Sequence, residues 1–153
     1  MHWKTLLLAA MALGCGSIGA IAVAATPAKT IAARQANFKV LGKSFKTILD
    51  QMKMPSADMA AVKSSADALA GAAGKVHGFF PKGSGPEAGV KTAALAAIWE
   101  KPADFKAANA KLISASKAMQ KAAKSGDMAQ VKAAFPGLGG SCKGCHDQFK
   151  AKD

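Results

Sequence analysis

Residues 127–150 read DMAQVKAAFPGLGGSCKGCHDQFK, and their apolar side chains recur at alternating intervals of three and four residues. The recurring positions are Met128, Val131, Phe135, Leu138, Cys142, Cys145 and Phe149. This spacing predicts one amphipathic helix with both cysteines on its buried face. Asp127 is the expected N-cap, and Pro136 with the neighbouring glycines is expected to kink or loosen the helix before the cysteines.

Three more amphipathic helices are predicted upstream of this segment. Pro55 should end the first, Ser56 is the expected N-cap of the second, and Gly126 should close the third. The expected bounds are 27–53, 57–76 and 102–126, with a loop over 79–86 and a short apolar segment over 92–99. Short connections between such helices predict an all-α fold, an antiparallel four-helix bundle formed by a single domain over residues 26–153.

The first 25 residues form a separate segment. Lys4 precedes an apolar run that ends in small residues at Ala25. This pattern predicts a secretory signal peptide over residues 1–25, cleaved near Ala24 or Ala25, rather than a membrane span. Cys15 leaves a lipidated N-terminus as an alternative, although the preceding leucine is one position too close to it. We therefore expect an exported, periplasmic protein.

Residues 142–146 read CKGCH, a C-x-x-C-H motif that is typical of covalent haem attachment. Cys142 and Cys145 share one helix face, so their sulfurs can reach the two vinyl groups on one porphyrin edge, and His146 can ligate the iron.

A disulfide, a zinc site and thiol exchange are the alternatives to haem attachment at these cysteines. Zinc needs about four ligands, but His77 is the only other histidine after the signal peptide. A thioredoxin-like dithiol follows a strand, and none is expected here. We predict one covalently attached haem c.

The sequence resembles the class II c-type cytochromes, in particular the cytochrome c′ family, over nearly all of the predicted mature chain. The matching elements are the segment SCKGCHD at 141–147, RQANFK at 34–39, Phe80-Pro81, and Thr92 seven residues ahead of Trp99. The resemblance implies that Arg34 and Gln35 lie beside the haem, with the guanidinium near a propionate, and that Thr92 is a further contact. Lys150, on the proximal side, replaces the usual arginine four residues after the histidine.

Arg34 is the only arginine in the chain, against twenty lysines. Its planar fork suits a carboxylate partner. A solvated arginine on a helix surface is the alternative interpretation.

The residue four positions after Arg34 faces the iron in this family, and low-spin members have methionine there. Phe38 occupies this position, and a phenyl ring cannot ligate iron. The resemblance therefore implies a five-coordinate, high-spin haem with an apolar distal face open to nitric oxide or carbon monoxide. Met52 lies about 21 Å farther along the helix, whereas Met59 and His77 stay open as sixth ligands.

These features predict a one-electron carrier that also binds diatomic gases; a six-coordinate, low-spin protein that only carries electrons is the alternative. A peroxidase would need distal acid and base groups, and we identify none, so no enzyme is expected.

The formal net charge of +12 favours acidic redox partners or anionic membranes, although a merely solvated lysine-rich surface is equally compatible. Nucleic acid is not an expected partner, because the chain has no basic cluster. The resemblance also suggests a homodimer.

Overall fold

The computed structural model describes residues 25–152, which form five α-helices. They are α1 (Pro27–Gln51), α2 (Met59–Lys75), α3 (Ala97–Glu100), α4 (Pro102–Lys124) and α5 (Met128–Phe149). No helix in this range is long and apolar enough to cross a membrane. Cys15 and all of the predicted signal peptide up to residue 24 lie outside the described residues.

The N-terminus of α2 differs from the prediction. Asp58 caps the helix, because its carboxylate accepts the backbone N–H groups of Ala60 and Ala61 at 2.9 and 3.1 Å. Ser56 is exposed and lies before the helix, so the predicted cap at Ser56 is wrong. The Asp58 carboxylate satisfies two free N–H groups, and it also places negative charge at the positive end of the helix dipole.

The junction between α4 and α5 follows the prediction. Gly126 adopts a left-handed conformation with φ of 76° just after α4, which costs glycine little and ends the helix. The carboxylate of Asp127 accepts the backbone N–H of Ala129 at 2.8 Å and caps α5. The last helix then runs through Pro136 without interruption, so the expected loosening does not break it.

The four long helices pack around one apolar core, which confirms the prediction of an all-α four-helix bundle. α1 packs on α2, α2 on α4, and α4 on α5. The rings of Phe45 and Phe135, with centroids 4.6 Å apart, connect α1 with α5. The largest fully buried apolar side chains come from all four helices and from the turn after α2: Ile31, Ile48, Val62, Leu69, Val76, Met119, Val131 and Leu138.

The segment between α2 and α4 is mostly irregular. It contains 3-10 turns at Val76–Phe79 and Pro86–Ala88, and the predicted apolar segment over 92–99 is helical only from residue 97. Residues 93–95 are extended, because the N–H of Leu95 donates to the carbonyl of Phe149 at 3.0 Å and the N–H of Ala151 donates to the carbonyl of Ala93 at 2.8 Å. This pairing attaches the segment to the C-terminal end of α5.

Candidate haem site

A cavity of about 430 Å³ opens between α1, the segment before α3, α4 and the end of α5. Apolar side chains form most of its wall, and basic and amide side chains complete it. The lining residues are Arg34, Gln35, Phe38, Lys39, Phe80, Thr92, Ala93, Ala94, Ile98, Phe105, Cys145, His146, Phe149 and Lys150. All predicted site residues except Cys142 therefore meet at one place.

Cys142 lines a second cavity of about 140 Å³ inside the bundle. All four long helices contribute to it, and its other lining residues are Phe38, Leu41, Gly42, Phe45, Leu69, Leu112 and Leu138. Phe38 borders both cavities. Cys145 thus lines the larger cavity and Cys142 the smaller one, and Phe38 lines both.

The C-x-x-C-H residues occupy the last two turns of α5. Cys142 and Cys145 are half-buried and form no disulfide, and His146 is an exposed residue at the wall of the larger cavity. Burial raises the pKa of both thiols, and the charge of Cys142 raises the pKa of Cys145 further. Thiol exchange needs a lowered thiol pKa, so this environment does not favour a redox-active dithiol.

The surroundings of the motif do not suit zinc either. Within residues 25–152, no three or more His, Cys, Asp or Glu side chains are grouped to hold a metal ion. His77 is exposed and stacks on Phe105, with ring centroids 6.3 Å apart, outside both cavities. A structural zinc site would need about four such ligands together.

Arg34 is buried, with 3% of its surface exposed, so the interpretation as a solvated helix-surface arginine is wrong. Its Nη1 donates to the carbonyl of Ser84 at 2.9 Å and to the Ser84 hydroxyl at 3.3 Å. Its Nη2 donates to the hydroxyl of Thr92 at 2.8 Å. Desolvation lowers the pKa of the guanidinium, and the charge of Glu87 partly opposes this effect. Arg34 therefore ties α1 to the segment that forms one wall of the cavity.

Gln35 and Thr92 connect the same two parts of the chain. The amide nitrogen of Gln35 donates to the carbonyl of Lys91 at 3.0 Å. The Thr92 hydroxyl also accepts the N–H of Ala94 at 3.1 Å. The structure thus brings these two predicted residues to the cavity, where each also makes a hydrogen bond within the protein.

Lys150 follows α5 directly and lines the cavity beside His146. Its N–H donates to the carbonyl of His146 at 3.1 Å, and its ammonium donates to the carbonyl of Ala151 at 3.3 Å. Ala94 pairs with Lys150 in an isolated antiparallel bridge. Lys150 and His146 therefore line the same cavity.

Sequence reasoning gave little weight to Phe80, Ser84 and Trp99. The Phe80 ring lies in the cavity wall, and the indole N–H of Trp99 donates to the carbonyls of Phe80 and Pro81, both at 3.1 Å. In the sequence, Phe80 and Trp99 appear only as elements of the family resemblance, with no role of their own. Ser84 had no signal, because a serine in a loop rich in glycine and proline is ordinary.

No methionine lines either cavity in the described part of the chain. Met52 and Met59 instead pack, half-buried, against the hydrophobic core. Neither methionine nor the exposed His77 is thus placed at a cavity wall where it could ligate a bound iron.

The residues present fit a covalently bound haem. The larger cavity is mainly apolar and has two thiols, one imidazole and a buried guanidinium at or beside its wall. An apolar space suits a porphyrin ring, thiols suit its vinyl groups, and a guanidinium suits a propionate.

Both the sequence and the fold of this chain are similar to those of known proteins. Residues 29–150 match a family model described as Cytochrome C'. The cytochrome c' of Rhodopseudomonas palustris is 41% identical over 123 residues, which are 80% of this chain and 82% of that protein. The structure is similar to that of the cytochrome c prime from Shewanella frigidimarina, with a TM-score of 0.75 and 36% identity over 82% of this chain and 97% of that chain.

A ferrous variant of the cytochrome c prime from Alcaligenes xylosoxidans, solved with bound nitric oxide, is also similar in structure. Its TM-score is 0.75, with 26% identity over 86% of this chain and 100% of that chain. The family match spans α1 to α5 and includes the C-x-x-C-H motif. The chain therefore belongs to the cytochrome c′ family, whose members carry covalently attached haem c.

Proposed function

We propose that this protein is a periplasmic electron carrier whose haem iron keeps one coordination position open for nitric oxide or carbon monoxide. The observation that carries the proposal is the position of Phe38. Its side chain, on α1, borders both cavities, and no methionine within residues 25–152 lines either of them. A phenyl ring has no lone pair to donate to iron, so this side of the site offers no strong protein ligand.

Three residues of α5 would hold the group. The Cys142 and Cys145 sulfurs would form thioethers with the vinyl groups, and the His146 imidazole would ligate the iron. When bound, haem supplies a one-electron Fe(III)/Fe(II) couple and a position for a diatomic ligand. The protein's contribution is to fix the histidine at the end of a helix whose other face is packed in the core.

Arg34 would neutralise a propionate. Its buried guanidinium lines the larger cavity, yet the ion pairs found among the described residues all join a lysine to an aspartate. A buried charge is costly unless hydrogen bonds or an opposite charge compensate it. Hydrogen bonds to Ser84, Thr92 and the carbonyl of Phe79, together with the charge of Glu87, provide part of this compensation, and a propionate would add to it.

The distal face would favour nitric oxide and carbon monoxide over dioxygen. Bound dioxygen is stabilised by distal hydrogen-bond donors. Here Arg34 and Gln35 already bond to oxygens of the segment before α3, and Lys39, which α1 also contributes to the cavity wall, is exposed. The related protein with bound nitric oxide supports gas binding at such a site. No carboxylate lines the cavity walls in the described residues, so we propose no peroxidase chemistry.

A second protein would reach the haem through the cavity mouth. Lys39 and Lys150 line the cavity, and Lys91 is an exposed neighbour joined to Gln35. Lysines at and near the cavity wall favour an acidic redox partner and speed its association at low ionic strength. Export by the predicted signal peptide would place this exchange in the periplasm.

Two such chains would associate as a homodimer through α1 and α2. Val40 in α1 and Met54 just after it are exposed by 43% and 56%, more than most apolar side chains of this protein. Sedimentation of the holoprotein and of its Val40→Lys variant tests this point. A dimeric wild type and a monomeric variant would support it, and a monomeric wild type would contradict it.

Visible spectra of the ferric and ferrous holoprotein, with and without nitric oxide, test the main proposal. We expect a high-spin spectrum that changes when the gas is added. A low-spin spectrum that is indifferent to gas would show an additional iron ligand and would leave electron transfer alone as the function.

A further inference from the structure

The Phe80 ring is held by neighbours on several sides. The guanidinium carbon of Arg34 lies 4.6 Å from its centroid. The rings of Phe105 and Trp99 lie 4.8 and 6.0 Å from it, centroid to centroid. The remaining ring contact is with Phe38, at 6.3 Å and an interplanar angle of 73°. This edge-on geometry is a favourable aromatic arrangement.

The backbone of Phe80 is fixed as well. Its carbonyl accepts the indole N–H of Trp99 at 3.1 Å, and its own N–H donates to the carbonyl of His77 at 3.4 Å. Arg34, which lies over the ring, is itself held by the hydroxyl of Thr92 and the carbonyl of Ser84. Hydrogen bonds to the Phe80 backbone and to the Arg34 guanidinium therefore restrict the position of the Phe80 ring.

Phe38 has a different environment. It is half-buried and borders both cavities, so fewer protein atoms surround its ring than surround a side chain in the core, and the ring can move more easily. Its contact with the fixed Phe80 ring limits that movement. We propose that Phe80 is a positioning residue for the distal face: it holds Phe38 in place and thereby limits how fast a diatomic gas reaches the iron. The inference rests on the proposed gas-binding function.

Carbon monoxide association with the ferrous holoprotein after flash photolysis tests this role. In Phe80→Leu the edge contact is lost and Phe38 gains freedom, so we expect faster association. One aromatic contact corresponds to an increase of up to about tenfold in the rate constant. Phe135→Leu is the matched control, since it also removes a half-buried ring that pairs with an α1 phenylalanine but lines neither cavity. The control should stay within about twofold of the wild type.

Thr92→Val provides a second variant that leaves the Phe80 side chain intact. It removes the oxygen that holds Nη2 of Arg34, and we expect a smaller acceleration in the same direction. Unchanged association in both Phe80→Leu and Thr92→Val would overturn the positioning role, and so would an equal acceleration in Phe135→Leu, which would indicate general loosening. A wild type that binds no carbon monoxide would instead refute the proposed gas-binding function, and this inference with it.

Discussion

The Nη2 atom of Arg34 lies 2.8 Å from Oγ1 of Thr92, a contact between residues 58 positions apart in the chain. The same hydroxyl accepts the N–H of Ala94, which belongs to the extended stretch paired with the end of α5. Thr92 therefore connects the α1 wall of the cavity to the wall that carries His146. A change in this one hydroxyl should affect the stability of the whole site.

Thr92→Val should lower the free energy of unfolding by about 2 kcal/mol, because a hydrogen bond to a charged group is lost inside the protein. Valine keeps the branched shape, so little packing is lost with the hydroxyl. Denaturant unfolding of the holoprotein, followed by circular dichroism, measures the difference. Thr92→Ser, which retains the hydroxyl, should be clearly more stable than Thr92→Val, and equal stability of the two variants would contradict the prediction.

Phe38→Met should convert the iron to a six-coordinate, low-spin state. Residue 38 borders both cavities on α1, and a thioether at this position can donate a lone pair to iron. Absorption spectra of the ferric and ferrous forms report the change, together with weaker binding of carbon monoxide. Phe38→Leu is the control and should stay high-spin. A fully high-spin Phe38→Met protein would show that residue 38 does not face the iron.

Gly85→Ala should destabilise the protein by about 1–3 kcal/mol, the usual cost of overpacking. A β-carbon at residue 85 would lie 2.9 Å from Cζ3 of Trp99 and would also meet the carboxylate of Glu87. Trp99 cannot withdraw easily, because its indole N–H bonds to two backbone carbonyls. Thermal unfolding of the holoprotein measures the effect.

Gly71→Ala is the matched control for that substitution. Gly71 is an exposed position within α2, where an added β-carbon would meet no atom within 4 Å. Alanine there should stabilise the protein by about 0.5–1 kcal/mol, since it has the higher helix propensity. The two glycine substitutions should therefore have opposite signs, and a tolerated Gly85→Ala would contradict the tight packing at Trp99.

The long helices could be predicted from the sequence because their apolar residues recur at helical spacing and local caps mark their ends. This information lies within a few residues of each position, as the turn from Gly126 to Asp127 shows. Even the cap of α2, Asp58, lies only two residues from the predicted one, since Ser56 and Asp58 are both good capping residues. The haem motif could be recognised for the same reason: its spacing is local.

The segment before α3 could not be predicted in this way. Residues 93–95 are extended because they pair with the end of α5, and no local pattern encodes that partner. Likewise, a single arginine in the sequence predicts a carboxylate partner. In the structure the Arg34 guanidinium also bonds to Ser84 and Thr92, at least 50 positions away. Long-range contacts of this kind override local propensity.

Cys145→Ser should weaken haem attachment without removing the iron ligand. Cys142 and Cys145 lie one helical turn apart on the half-buried side of α5, so each can form its own thioether, while the imidazole of His146 is unchanged. We expect a holoprotein with a single covalent bond to haem, whereas Cys142→Ser combined with Cys145→Ser should release all haem on denaturation. Mass spectrometry of the denatured protein distinguishes these states. Haem that stays bound covalently in the double variant would show attachment at another residue.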